Sequence, residues 1–341
     1  MTRAQAPAPL LELLDPSSLR DALLTDARAG LTASPKALPP KYFYDARGSE
    51  LFEEITRLPE YYPTRAERGL LRAHAAEIVA AAGAEALVEL GSGSSEKTGL
   101  LLDALAAAGS AGAYVPVDVS PAALRGAVAE LAASRPALRV EPVVADFEDP
   151  DHLRALPRPG RRLVAFLGGT IGNLVPAERR RFLGRIADML DPGESMLLGV
   201  DLVKDADRLV AAYDDAAGVT AAFNRNVLRV LDRELGADFD PDDFEHVALW
   251  DPEQEWIEMR LRARTARAVR VADLGLTVLF EQGEEMRTEI SAKFRRAGIE
   301  AELDAVGLTP AGWWTDGDFA LVLARSGAPQ SVTVTPFQKA T

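Results

Sequence analysis

Short apolar runs and helix-period stretches take turns along the middle of the chain. Ala86–Leu90, Ala113–Val117, Val140–Val144, Leu163–Leu167 and Met196–Val200 have the length and composition of buried strands, and helical stretches separate them. Such alternation predicts βαβ units and a parallel sheet, with ligands held beyond the carboxyl ends of the strands. Ahead of the first run, Leu10–Gly30 has helical spacing. A second helix is expected from Thr64, which has capping-box spacing to Glu67, up to Gly83. Leu71, Ala75, Ile78, Val79 and Ala82 form its apolar stripe, and His74 beside that stripe reads as a packing or surface residue. Ser120–Pro121 and Pro176 read as helix starts.

The alternation breaks at about Asp201 and resumes near Thr288. Between them lie a helical region, Asp205–Leu235, with Gly236 as its C-cap, and two strands, Glu245–Trp250 and Glu255–Arg264, joined by DPEQ. This is expected to be an inserted subdomain. A helix over Arg296–Val306 then leads to two strands, Leu308–Thr315 and Asp318–Ala324, close enough to pair as an antiparallel hairpin. Met1–Pro9 and the tail from Ser326 read as loose, and Ser34–Glu67 is turn-rich yet too aromatic for a plain linker.

Composition narrows the chemistry. In 341 residues, 38 Lys and Arg face 52 Asp and Glu, a net charge of −14, which argues against a nucleic-acid partner. There is no cysteine, so disulfides, thiolate metal sites and a cysteine nucleophile are excluded. His74, His152 and His246 lack metal-ligand spacing, so no metal is expected. With no signal peptide and no apolar run of membrane-spanning length, a cytoplasmic protein without a membrane partner is expected.

The stretch ELGSGSSEKT (Glu89–Thr98) joins the first strand to the next helix. Glycine at 91 and 93 lets the backbone turn tightly and approach a ligand. The loop lacks the Gly-Lys-Ser/Thr ending of a P-loop, and Glu96 stands where a dinucleotide fingerprint has its third glycine. Asp118 at the end of the second strand can accept from two ribose hydroxyls. Asp146 and Phe147 at the end of the third can bond an adenine amino group and pack against the ring. Either acid alone could be a helix cap. Together with the glycine loop, at successive strand ends, they suit an adenosine without a pyrophosphate, as in S-adenosylmethionine (SAM). An antiparallel last strand on a parallel sheet is also the arrangement expected of the SAM-methyltransferase fold.

Several long segments carry a resemblance. PPKYFYDARGSELFEEITRLPEYYPTRAE, LVELGSGSSEKT, FLGGTIGN, DLVKDADRLVAAYDDAAGVTAAFNRNVL and GEEMRTEISAKF closely resemble the L-histidine Nα-methyltransferases of ergothioneine biosynthesis, over about residues 17 to 325. The resemblance implies an α/β, Rossmann-like class I methyltransferase core with an inserted α+β substrate-binding subdomain. It implies conversion of histidine to its trimethyl betaine, hercynine, with three SAM molecules consumed and S-adenosylhomocysteine released, by a monomer. On this view residues 66–202 and 289–325 form the cofactor core, residues 1–65 and 203–288 the substrate domain, and 326–341 a tail. Carried over residue by residue, the SAM contacts are Gly91, Lys97, Asp118, Asp146 and Phe147, with Tyr44 lining the same pocket. The histidine contacts are Tyr61, Asn173, Tyr213, Glu289 and Ser291, with Met259 near the imidazole. Departures such as GSGSSE for GSGTSE and SAKF for SCKF touch none of these positions.

The residue types fit that chemistry. Methyl transfer from a sulfonium is an in-line displacement in which positioning supplies much of the rate. Asn173 follows the fourth strand, and its amide with the Tyr213 hydroxyl can grip the amino-acid end of a substrate as the catalytic pair. Glu289 and Ser291 are two apart, so in an extended segment they share a face and can clasp the two nitrogens of an imidazole. Tyr61 falls on the substrate by resemblance, whereas its neighbour Tyr62 reads as packing. A related enzyme acting on another amino acid such as tryptophan is the nearest rival. A nucleotide-dependent oxidoreductase or a non-catalytic SAM-binding regulator stands further off.

Overall fold

The computed structural model describes residues 8–93, 97–110 and 112–327; most of the expected loose start, the tail and Ser94–Glu96 of the glycine loop lie outside the described residues. The chain opens with β1 (Leu11–Glu12), α1 (Pro16–Thr32), β2 (Lys36–Ala37), α2 (Ala46–Ile55) and α3 (Pro63–Ala82). The alternating part follows as β3 (Ala86–Leu90), α4 (Gly99–Ala107), β4 (Ala113–Asp118), α5 (Pro121–Ser134), β5 (Arg139–Val140), β6 (Val143–Val144), α6 (Pro150–Arg154), β7 (Arg162–Phe166), α7 (Pro176–Met189) and β8 (Ser195–Asp201). Then come α8 (Ala206–Ala211), α9 (Val219–Leu235), β9 (Phe244–Asp251), β10 (Trp256–Ala263), β11 (Arg267–Val271), β12 (Leu276–Phe280) and β13 (Glu285–Ala292). The chain closes with α10 (Arg296–Asp304), β14 (Leu308–Thr315) and β15 (Phe319–Ser326).

The main sheet runs β1-β6-β4-β3-β7-β8-β15-β14, with β5 beside β4. Its pairs are parallel except that β15 lies antiparallel to both β8 and β14, which is the expected closing hairpin and the α/β class I methyltransferase arrangement. Alternate residues of the central strands feed opposite faces: Val88 and Val164 point to one core layer, Leu87 and Leu163 to the other. Both faces are covered, so β3, β7 and β8 are buried throughout.

A second sheet runs β2-β13-β10-β9 and packs on α2 and α9 around its own core. β13 lies antiparallel to β10, so Glu289 and Ser291 belong to this second sheet, and the switch expected at residue 289 falls inside a strand. The two sheets meet just beyond β13, where the Phe294 N–H donates to Asp201 O at 2.8 Å and Leu202 bridges Phe294.

Other differences have local causes. The helix expected over Leu10–Gly30 begins only at Pro16, because Asp15 caps it by accepting from Ser17 N at 2.9 Å, while Leu11–Glu12 pairs with β6. The third strand is split between β5 and β6 around Pro142, which has no N–H to give to a ladder. The long helical region divides because Asp215 accepts from Val219 N (3.0 Å) and Thr220 N (2.7 Å) and so starts α9 afresh. α3 begins at Pro63 with Tyr62 as its N-cap, so Thr64 and Glu67 make no capping box there, and Gly83 ends it at φ 58° as expected. The hairpin of β11 and β12 was not foreseen. No helix among the described residues is long and apolar enough to cross a membrane.

Candidate functional site

The carboxyl ends of β3, β4 and β7 carry the first half of the site. Gly91 (φ 70°) and Gly93 (φ 48°) turn the chain out of β3. The Gly91 N–H donates to Val117 O at 2.8 Å, which ties the loop to β4. Asp118 accepts from Gly93 N and Ser120 N, each at 2.9 Å, and burial raises its carboxyl above the usual range. Each carboxylate oxygen keeps a lone pair for a further donor such as a ribose hydroxyl. Phe147 lies beside the loop: a Cβ on Gly91 would be 3.7 Å from its ring. That ring packs edge-on against Phe166 (5.4 Å) and Phe182 (6.1 Å). Asp146 is held by Glu148 N at 2.8 Å, and its own N–H donates to His152 Nδ1 at 3.2 Å, which gives that histidine a structural partner. These residues fit an adenosine, with a flat ring, a carboxylate with spare lone pairs and a side-chain-free turn.

Lys97 pairs with Glu67 of α3. Glu67 is only 1% exposed and also accepts from Gly168 N at 2.7 Å, just past β7. A Cβ on Gly199 would lie 2.3 Å from Glu67 Oε1, so glycine in β8 makes the room this carboxylate needs. Glu67 thus fastens Lys97 and the end of β7 to α3, a role its sequence spacing disguised as a helix cap. Below the loop, Glu89 accepts from Thr98 Oγ1 (2.6 Å) and Tyr114 Oη (2.5 Å), and burial pushes its carboxyl up to about 7.

The second half gathers on β13 and its neighbours. Glu289 stands opposite Met259 of β10, where the register shifts after Met259, and Met259 is buried at 2% exposure. Asn173, in the tight turn after β7, lies close enough to Glu289 for its amide to favour the ionised carboxylate against burial. Gly172 permits that approach, since a Cβ there would meet Ala292 O at 2.8 Å. The Tyr213 and Ser291 hydroxyls are 2.7 Å apart. Tyr61 packs edge-on against Tyr213 (6.4 Å) and Phe52 (6.2 Å). The structure therefore brings Asn173, Tyr213, Glu289, Ser291, Met259 and Tyr61 together. Tyr44, expected in the cofactor pocket, packs its ring against Phe52 and Phe223, both at 5.5 Å, beside this group. It is 47% exposed.

Supporting residues behind this group gave no sequence signal. Lys293 and Lys204 flank Asp201, and Tyr62, expected only to pack, donates to the same carboxylate at 2.7 Å. His246 bridges Asn224 Nδ2 and Tyr213 O, both at 2.8 Å. The amide donates to Nδ1, so Nε2 carries the proton and donates to the carbonyl; burial lowers the pKa of this ring and keeps it neutral. Among the described residues no cluster could hold a metal ion.

Burial also pushes Glu289 up to about 7, with the Asn173 bond and the Lys293 charge opposing. Between the ordinary carboxyl value and about 7 the folded protein holds more protons than the unfolded chain, so stability falls as pH rises through that window. Glu289→Gln cannot ionise. It is expected to raise Tm by about 1–3 °C at pH 8 and to leave it unchanged near pH 4. Thermal melts at the two pH values check this, and an equal shift at both would remove burial as the cause.

Comparison with known proteins agrees with this geometry. The family model described as histidine-specific methyltransferase, SAM-dependent, matches residues 23–326. A Histidine N-alpha-methyltransferase of Mycolicibacterium smegmatis is 60% identical over 92% of this chain and 98% of the relative. Its namesake in Mycobacterium tuberculosis is 56% identical over 89% and 94%. Ergothioneine biosynthesis protein 1 of Neurospora crassa is 30% identical over 83% of this chain and 32% of that longer relative.

Proposed function

The chain belongs to the histidine-specific, SAM-dependent methyltransferase family, and from that premise we propose that it methylates the α-amine of L-histidine three times to give hercynine, the first step of ergothioneine biosynthesis. The observation that carries the reading is the pairing of Glu289 and Ser291 on one face of β13, with Tyr213 bonded to Ser291 at 2.7 Å. A carboxylate and a hydroxyl so placed can hold the two nitrogens of an imidazole. The α-amine is then left toward the end of β7, beside the nucleoside half.

SAM supplies an electrophilic methyl group on its sulfonium. Gly91, Asp118, Asp146 and Phe147 hold its nucleoside, and Lys97, fixed by Glu67, meets its carboxylate end. Asn173 and Tyr213 orient the amino-acid end so that the amine lone pair lies in line with the methyl group. Tyr61 and Met259 wall the cleft, and Tyr44 closes its mouth. The amine is nucleophilic only when neutral, and its proton leaves to water; no strong base is required. Residues 203–292 with the N-terminal stretch serve as the substrate lobe. The enzyme acts as a cytoplasmic monomer on a free amino acid, without metal, membrane or nucleic acid.

Tryptophan tests the substrate choice. An indole has one nitrogen, always an N–H, and leaves one of Glu289 and Ser291 without a partner. Histidine is expected to show a kcat/KM about a hundredfold or more above that of tryptophan. Faster methylation of tryptophan would overturn the assignment.

A further inference from the structure

Lys293 stands one residue past β13, and its side chain is entirely withdrawn from solvent. An ammonium has three N–H donors and no acceptor. Here all three are spoken for: Asp201 Oδ2 lies at 2.9 Å, Ser291 Oγ at 2.9 Å and Tyr213 Oη at 3.0 Å. Neither hydroxyl can donate to Lys293, so both must accept from it. The hydroxyls are also 2.7 Å from one another, so one donates to the other. Of their two protons, one is used between them and one remains for a third group.

The cation is held firmly where it does this. Asp201 ends β8 in the main sheet, and its backbone carbonyl accepts from Phe294, the residue after Lys293. The Asp201 carboxylate also has Lys204 and Tyr62 as partners, so its charge does not depend on Lys293 alone. A buried, fully bonded ammonium at the seam between the two sheets therefore dictates the donor directions of two hydroxyls in the substrate cleft.

We propose that Lys293 is a positioning residue that makes the Tyr213–Ser291 pair offer the substrate a single hydroxyl proton. Tyr213 donates to Ser291, and Ser291 donates to a ring nitrogen that bears a lone pair. Tyr213 keeps a lone pair for an N–H of the amino-acid end. The site then selects an azole with one acceptor nitrogen at this point, while Glu289 takes the other nitrogen. This rests on the histidine reading above.

Calorimetric titration of histidine into the complex with S-adenosylhomocysteine tests it. Lys293→Met is expected to weaken histidine binding about tenfold or more, with S-adenosylhomocysteine affinity within about twofold. A residue that only props up the fold would not give the second result: Ser291→Ala should cost about fivefold or more in the unsubstituted protein but less than about twofold in the Lys293→Met background. Additive losses, or near-normal histidine affinity in folded Lys293→Met, overturn the proposal. Should Lys293→Met fail to bind S-adenosylhomocysteine, Lys293→Arg decides. It keeps a cation against Asp201, but its planar fork cannot serve both hydroxyls, so the same loss of histidine affinity is expected and unchanged affinity overturns the proposal. An unsubstituted protein that binds S-adenosylhomocysteine but no histidine would defeat the substrate reading and this proposal together. That result is distinct from any effect confined to the variants.

Discussion

Glu289→Ala is expected to weaken histidine binding by about ten- to a hundredfold while leaving S-adenosylhomocysteine affinity nearly unchanged. The loss corresponds to about 1.5–3 kcal/mol, the usual worth of a hydrogen bond to a charged group. The separation of effects follows from the architecture. Glu289 lies in β13 of the second sheet, whereas the glycine loop, Asp118 and Phe147 lie at strand ends of the main sheet. Asn173, in the turn after β7, is the predicted site residue of the main sheet that acts directly on the Glu289 carboxyl. Removing a carboxylate whose ionised form burial disfavours should not unfold the protein, so the variant can be measured. Calorimetry with histidine and with S-adenosylhomocysteine reads both affinities, and an unchanged histidine affinity would remove Glu289 from the substrate site.

Asp118→Ala has the opposite signature. Its carboxylate holds Gly93 N and Ser120 N at 2.9 Å each, so the substitution frees the glycine loop and deletes the acceptor assigned to the ribose. With charge-assisted bonds lost to both loop and ligand, SAM affinity should fall about a hundredfold or more. Asp118→Asn keeps the shape and one acceptor oxygen, and should fall between the two. Normal SAM affinity in Asp118→Ala would reject the ribose role.

The sheet was legible because its strands are continuous apolar runs, the signature of burial on both faces. β3 and β14 match the expected Ala86–Leu90 and Leu308–Thr315 to the residue. Periodicity says nothing of which sheet a strand joins, so β13 was read as a return to the core although it pairs with β10. The nucleoside half was legible from residue type at strand ends. The substrate half was named only by resemblance, since Tyr61, Tyr213 and Glu289 come from three separate segments that folding alone brings together. The packing of Tyr44 was not legible, because one of its ring partners, Phe223, lies far along the chain. The roles of Lys293, Asp201 and Glu67 were hidden for a related reason. A buried charge is marked by its partners, and theirs include Tyr213, Tyr62 and Lys97, far away in sequence.

The central claim, trimethylation of the histidine α-amine, is tested most directly by a mass spectrum of histidine incubated with the protein and excess SAM. The account predicts a product heavier by three methyl groups, all on the α-nitrogen, with the imidazole unmodified. Methylation on the ring, or unchanged histidine while SAM is bound, would contradict it.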